Sequence, residues 1–115
     1  MTPQVNRSAT MKAPRHLSAA SRRWWMHVTT HWELEQHHVL ILKAAAESWD
    51  RLQQARRTIA AEGLTAKTRD GLKVHPAVQV ERDSLLAFLR AVRELDLDVA
   101  APAESRPPAL RSIAR

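Results

Sequence analysis

The chain has 115 residues, room for one small domain, and its hydrophobic share of 44% comes with two glycines, one phenylalanine and no tyrosine, a composition for helices and not for a sandwich or barrel. Cysteine is absent, which excludes a disulfide framework, thiolate zinc, iron–sulfur ligation and a cysteine nucleophile, and suits a reducing compartment. The formal charge of +6 is concentrated at the front, where Met1 to Trp32 holds Arg7, Lys12, Arg15, Arg22 and Arg23 without one acid. A basic arm on a nearly neutral body points to a polyanion such as nucleic acid, because such asymmetry steers association without contributing to the fold. No apolar run approaches the roughly 18 residues of a membrane span and no signal-peptide pattern opens the chain, so a soluble cytoplasmic protein is expected.

Residues 1–17 are polar, basic and broken by Pro3 and Pro14, which predicts a flexible arm. A first helix is expected from Ser18 or Ser21, either of which can cap it, with Trp25, Val28 and Trp32 on one apolar stripe and fraying near His31 to Glu33. A long helix follows from about Glu35 to Glu62, where Gly63 supplies a left-handed stop. Along it Ile41, Ala45, Ser48 or Trp49, Leu52, Ala55 and Ile59 keep three-to-four spacing. At 1.5 Å per residue it is roughly 40 Å long, more than one small core can cover, so part of its surface is expected to meet another subunit.

Asp70-Gly71 lies between two short runs and predicts a β-hairpin or extended loop over Leu64 to Pro76. Pro76 is pre-set for a first helical turn, and a last amphipathic helix is expected from there, with Val78, Leu85, Phe88 or Leu89, Val92 and Leu95 on one face. Leu86 and Leu89 widen that stripe, which suggests burial on more than one side and makes both candidates for an oligomer interface. Residues 99–115 are rich in proline and alanine and read as a flexible tail in which Arg106, Arg111 and Arg115 repeat the basic sign. The expected fold class is mainly α: a helical hairpin with a long central helix, a short β-hairpin and a final amphipathic helix, its core spanning 18–98.

Ser21 to His38 crowds together three tryptophans and four histidines. His27 and His31 stand at i, i+4, the spacing of two zinc ligands, but the residues between are Val-Thr-Thr, with no carboxylate base and no third ligand. His37 and His38 are adjacent and expected on different sides of a helix. No metal and no cofactor are therefore expected. Tryptophans at helical spacing are expected in the core, Trp24 being the most exposed, so base stacking is not the reading. Glu47 with Asp50, and Glu81 with Asp83, have basic neighbours in Arg51 and Arg82, the pattern of surface ion pairs. No Gly-rich phosphate loop, nucleophile elbow or dinucleotide fingerprint is present, so no enzyme is expected. Flexible cations grip phosphates, not base edges. The DNA-binding candidates are Arg7, Lys12, Arg15, Arg22 and Arg23, with Arg106, Arg111 and Arg115 at the other end and Lys67, Arg69 and Lys73 around the hairpin.

Taken in order, "RRWWMHV", then "ELEQHHVLILKAAAESWDRLQQARRTIAAEGL", an Asp-Gly turn, and "HPAVQVERDSLLAFLRAVRELDLD" resemble the phage terminase small-subunit family. Its members carry an R-x-W start, a helix ending in E-G-L and an H-P-A-V-x-x-E-R-D helix. The resemblance covers Leu17 to Asp98 and departs at Asp96, where the family commonly has glycine, and at Thr29-Thr30-His31. It implies a non-enzymatic component of a viral genome-packaging motor in the cytoplasm of the bacterial host. Its implied partners are double-stranded, concatemeric phage DNA, the large ATPase and nuclease subunit, and other copies of itself in a closed ring. A small helical regulator or antitoxin binding DNA as a dimer is the alternative, and it requires a helix-turn-helix that the pattern does not supply. A hydrolase built on the histidines would carry stoichiometric zinc.

Overall fold

The computed structural model describes residues 11–96, which form α1 (Ala19–His31), α2 (Gln36–Glu62), a hairpin of β1 (Thr65–Thr68) and β2 (Gly71–Val74), and α3 (Pro76–Leu95). Arg7, Arg106, Arg111 and Arg115 lie outside the described residues, as does everything expected of 1–10 and 97–115. No helix among the described residues is long and apolar enough to cross a membrane.

Ser18 is the N-cap of α1, its hydroxyl accepting from the Ser21 amide at 3.1 Å. Thr29, a weak helix former, is held inside α1 by donating its hydroxyl to the Trp25 carbonyl at 2.9 Å. The helix ends where expected, with Trp32 already extended and its N–H on the Val28 carbonyl. Trp32 therefore leaves the helical stripe and packs half-buried beside the core, while Trp25 and Val28 enter it. That core joins Leu17, Trp25, Val28, Leu42, Ala46 and Leu95, from the segment before α1 and from all three helices.

The part of the expected arm that is described, 11–17, lies against the body. Leu17 is buried, Ala13 packs on the core, and the Trp25 indole donates to the Met11 carbonyl at 3.3 Å. Asp50 on α2 ties this segment down by accepting from the Ser18 N–H at 2.8 Å, the Ser18 hydroxyl at 2.6 Å and the Ser21 hydroxyl at 2.7 Å. His16 bonds Glu47 at 2.6 Å beside it. Neither carboxylate takes the neighbour expected from sequence: Asp50 accepts from Ser18 and Ser21 and Glu47 pairs with His16, while Arg51 is exposed. Glu81 likewise pairs with Arg56 of α2 at 3.2 Å, and only Asp83 keeps Arg82, at 4.0 Å.

α2 and α3 make the most extensive helix contact. On α2 the buried set is Leu42, Ala45, Ala46, Ser48, Leu52 and Ala55: the expected Ala45, Ser48, Leu52 and Ala55 are inside, Leu42 and Ala46 join them, and the expected Ile41 and Ile59 are half-buried, as is Trp49. On α3 only Ala77, Ser84 and Leu95 are buried. The expected stripe of Val78, Leu85, Phe88 and Val92 is half-buried, and Leu86 and Leu89 are 44% and 52% exposed. Most of the buried positions of the two helices are small, beside the fully buried Leu52, and the larger apolar residues of α3 stand half-buried or exposed. Phe88 lies between Trp24 of α1 and Trp49 of α2, with ring centroids 5.8 and 5.1 Å apart.

Gly63 ends α2 with φ 89° and ψ 175°. This is not the left-handed helical conformation expected but an extended one with positive φ, open essentially to glycine alone. In the hairpin Thr65 faces Val74 and Thr68 faces Gly71, so Arg69 and Asp70 form the turn and the positive φ, 110°, falls on Gly71 after it. His75 caps α3, its Nδ1 accepting from the Ala77 amide at 3.0 Å while Nε2 donates to Glu62 at 2.8 Å.

Two outcomes follow for stability. Burial pushes the Asp50 carboxyl up, but the Ser18 and Ser21 bonds and nearby His16 outweigh it and hold the group below its ordinary value. A depressed carboxyl stabilises the fold above its unfolded pKa, and that contribution is lost as pH falls through the folded one. Asp50→Asn should cost about 2 kcal/mol in urea denaturation near neutrality, and the gap to the wild type should close below about pH 4. At the end of α3, Asp96 adopts φ 57° and ψ 36°, the left-handed conformation that glycine takes most readily at a helix C-terminus. Asp96→Gly should relieve that left-handed strain and raise stability by about 0.5–1 kcal/mol, read as a shift of the same denaturation midpoint.

Candidate nucleic-acid interface

α1 buries Ser21, Trp25, Val28 and Thr29. The helical period then forces Arg22, Arg23, Met26, His27, Thr30 and His31 onto the opposite, exposed side. The 11–13 segment runs alongside, fixed through Met11 and Ala13, and the two enclose an open groove of about 840 Å³. Lys12, Arg22, Arg23, His27 and His31 line it, with Met11 and Met26 as an apolar floor, and no carboxylate among the described residues joins them. Arg22 also donates to the Arg15 carbonyl at 3.2 Å, which braces its guanidinium toward the start of the helix.

The fold thus brings Lys12, Arg22 and Arg23 together, and leaves Arg15 exposed beside them but outside the groove. Lys67, Arg69 and Lys73 are all exposed on the hairpin, far from this face. From Ala46, against which α1 packs, to Glu62 at the base of the hairpin is about 24 Å of helix at 1.5 Å per residue. Lys67 pairs with Leu72 and Lys73 with Ala66. Alternation then sends the two lysines to opposite faces of the ribbon, so the hairpin offers no single cationic surface.

His27 and His31, read from sequence as ornaments of the helix surface, line the same groove as the arginines. The signal was their register with Arg23 at i+4 and i+8, hidden because a count of Lys and Arg leaves histidine out.

A second cleft, of about 590 Å³, lies between the start of α1 and α2 and holds His16, Ser18, Glu47 and Asp50. Its residue types are those of a hydrolytic triad, but its bonds are not. His16 is engaged by Glu47, and Ser18 and Ser21 donate to Asp50, so no hydroxyl is paired with a base that could activate it.

Glu35, His37 and His38 bring three ligand atoms within 4.8 Å of one another. The adjacent histidines, expected to diverge, pack together instead, tilted by 35° with ring centroids 4.1 Å apart. His38 Nδ1 accepts from the Glu35 N–H at 3.1 Å and so caps α2. Burial, and then the neighbouring His37, lower the His38 pKa against a smaller pull from Glu35, consistent with a neutral ring acting as acceptor. A metal ion would have to displace that cap or bind at the other ring nitrogen in the opposite tautomer, at the positive end of a helix. The cluster suits capping and suits a cation poorly.

A family model described as phage terminase, small subunit, matches residues 22–109. No curated protein and no solved structure matches the chain. The matched span runs from the arginines of α1 through the hairpin and α3, well over half of the chain, and the protein therefore belongs to the phage terminase small-subunit family.

Proposed function

We propose that this protein is the DNA-recognition and regulatory component of a viral genome-packaging motor. It binds double-stranded, concatemeric phage DNA as a homo-oligomeric ring and presents it to the large subunit, whose ATPase and nuclease do the chemistry. The observation that carries the reading is the acid-free groove along α1, where Lys12, from before the matched span, meets Arg22 and Arg23 at its start. The wiring of the His16, Ser18 and Asp50 cleft supports a non-catalytic role.

Assembly is supported by α3, whose apolar stripe is displaced from its contact with α2 and leaves Val80, Leu86 and Leu89 exposed. A ring needs a heterologous interface, one patch on each subunit meeting a different patch on the next. The exposed Leu64, Leu72 and Val74 around the hairpin are a second apolar patch of the same chain.

Two measurements test these statements. Duplex binding across a salt series should give a linear fall of log K with log salt, and Arg22→Ala with Arg23→Ala should shallow the slope by about 0.9 for each phosphate that the alanines no longer neutralise. An unchanged slope would transfer the contact to the hairpin cations. Native mass spectrometry at micromolar concentration should show a ring. A monomer sinks the assembly claim, and a dimer would favour the regulator. Leu86→Glu with Leu89→Glu should dissociate the assembly while leaving the helical signal in place, since neither side chain is in the subunit core.

A further inference from the structure

Arg23, His27 and His31 occupy i, i+4 and i+8 of α1 and form one ridge along the groove. The ridge covers about 12 Å of helix axis, the axial span of roughly three phosphates on one strand of a duplex at 3.4 Å each. The two imidazoles pack against each other tilted by 39° with ring centroids 4.3 Å apart, and each stands 6.1 Å from the Trp32 ring.

The chemistry of His31 is fixed by its neighbour. Its Nδ1 lies 2.8 Å from the His27 carbonyl oxygen, which can only accept, so Nδ1 carries the proton. In the neutral ring Nε2 then holds a lone pair, which repels a phosphate oxygen. Only the imidazolium offers an N–H from that atom. Gaining one proton thus converts His31 from a group that rejects a phosphodiester into one that donates to it.

The charged groups facing the pair are Arg22 and Arg23 from α1 and Lys12 from the 11–13 segment, and the ring beside it is that of Trp32. Glu33, the next acid along the chain, does not line the groove. Two adjacent imidazolium rings among cations have no counter-charge in the described protein. A phosphodiester lying in the groove supplies it, and by linkage proton uptake and DNA binding then strengthen one another.

We propose that His27 and His31 are phosphate ligands that make the DNA grip of this subunit tighten as pH falls. The inference rests on the DNA-binding reading above and adds to it a proton-dependent pair of contacts. Its test is duplex binding by the full chain across a salt series at pH about 6 and about 8, on either side of the ordinary histidine pKa of about 6.5. In the wild type the affinity should rise at the lower pH, and the slope of log K against log salt should steepen by about 0.9 for each imidazolium engaged, up to about 1.8. His27→Asn with His31→Asn should lose the steepening, with the same salt slope at both pH values. His27→Lys with His31→Lys should give the steep slope at both values, which controls for a fold disturbed by the first pair.

A pH response that survives in the asparagine variant overturns the inference and moves the effect to other histidines. So does a wild-type slope that is the same at both pH values. Absence of duplex binding at low salt at either pH overturns the DNA-binding reading itself, and the two failures are therefore distinguishable.

Discussion

The close contact of α2 with α3 is the constraint on which the rest depends. The buried positions of the two helices are mostly small, Ala45, Ser48 and Ala55 around the fully buried Leu52 on α2 and Ala77 and Ser84 on α3. Helices that approach through small residues gain packing but hide few large side chains. Three consequences follow. Leu95 is carried to the far end of the hairpin, where it closes a core with Trp25, Val28 and Leu42. The β-hairpin is left at the opposite tip with its apolar side chains in solvent. The larger apolar residues of α3 stand beside the contact and not inside it, which is surface available to a neighbour.

Electrostatics then divides the molecule. Carboxylates on α2 are consumed internally: Asp50 by the serines of α1, Glu47 by His16, Glu62 by His75. α1 contains no acid, and its buried face is occupied by Ser21, Trp25, Val28 and Thr29. Every cation it carries is therefore on the outside and uncompensated. The same Asp50 that anchors α1 by hydrogen bonds thus helps determine that the opposite side of α1 is basic. Docking of the 11–13 segment converts that basic side from a ridge into a groove, and so couples the fold to the proposed contact with phosphate.

Much of this organisation was legible in the residues. The cap at Ser18, the start of α3 at Pro76, the stops at His31 and Gly63, the turn around Asp70-Gly71 and the length of α2 are local matters, decided within a few residues by hydrogen bonding and allowed φ. The buried stripe of α2 was legible through Ala45, Ser48, Leu52 and Ala55, and the end of α3 through Leu95. Periodicity marks which residues share a side but not which of them a neighbour covers, so Leu42 is buried where Ile41 was expected, Ala77 and Ser84 are buried while Val78 and Leu85 are half-buried, and Leu86 and Leu89 are exposed in the subunit. The docking of the segment before Ser18 was hidden for the same reason, since its anchors, Asp50 and Trp25, are distant in sequence from what they hold.

By itself the sequence determined the helical class, the element order, the basic front of the chain and the family resemblance, because propensity, capping, charge and motif order are properties of short stretches. Tertiary structure decided which cations stand together. Lys12, Arg22 and Arg23 share a groove with His27 and His31, whereas Lys67, Arg69 and Lys73 are spread over two faces of a ribbon at the other end of α2. A count of charge along a chain carries no directions. Directions come only from the packing of one helix on another, which fixes the face each side chain must take.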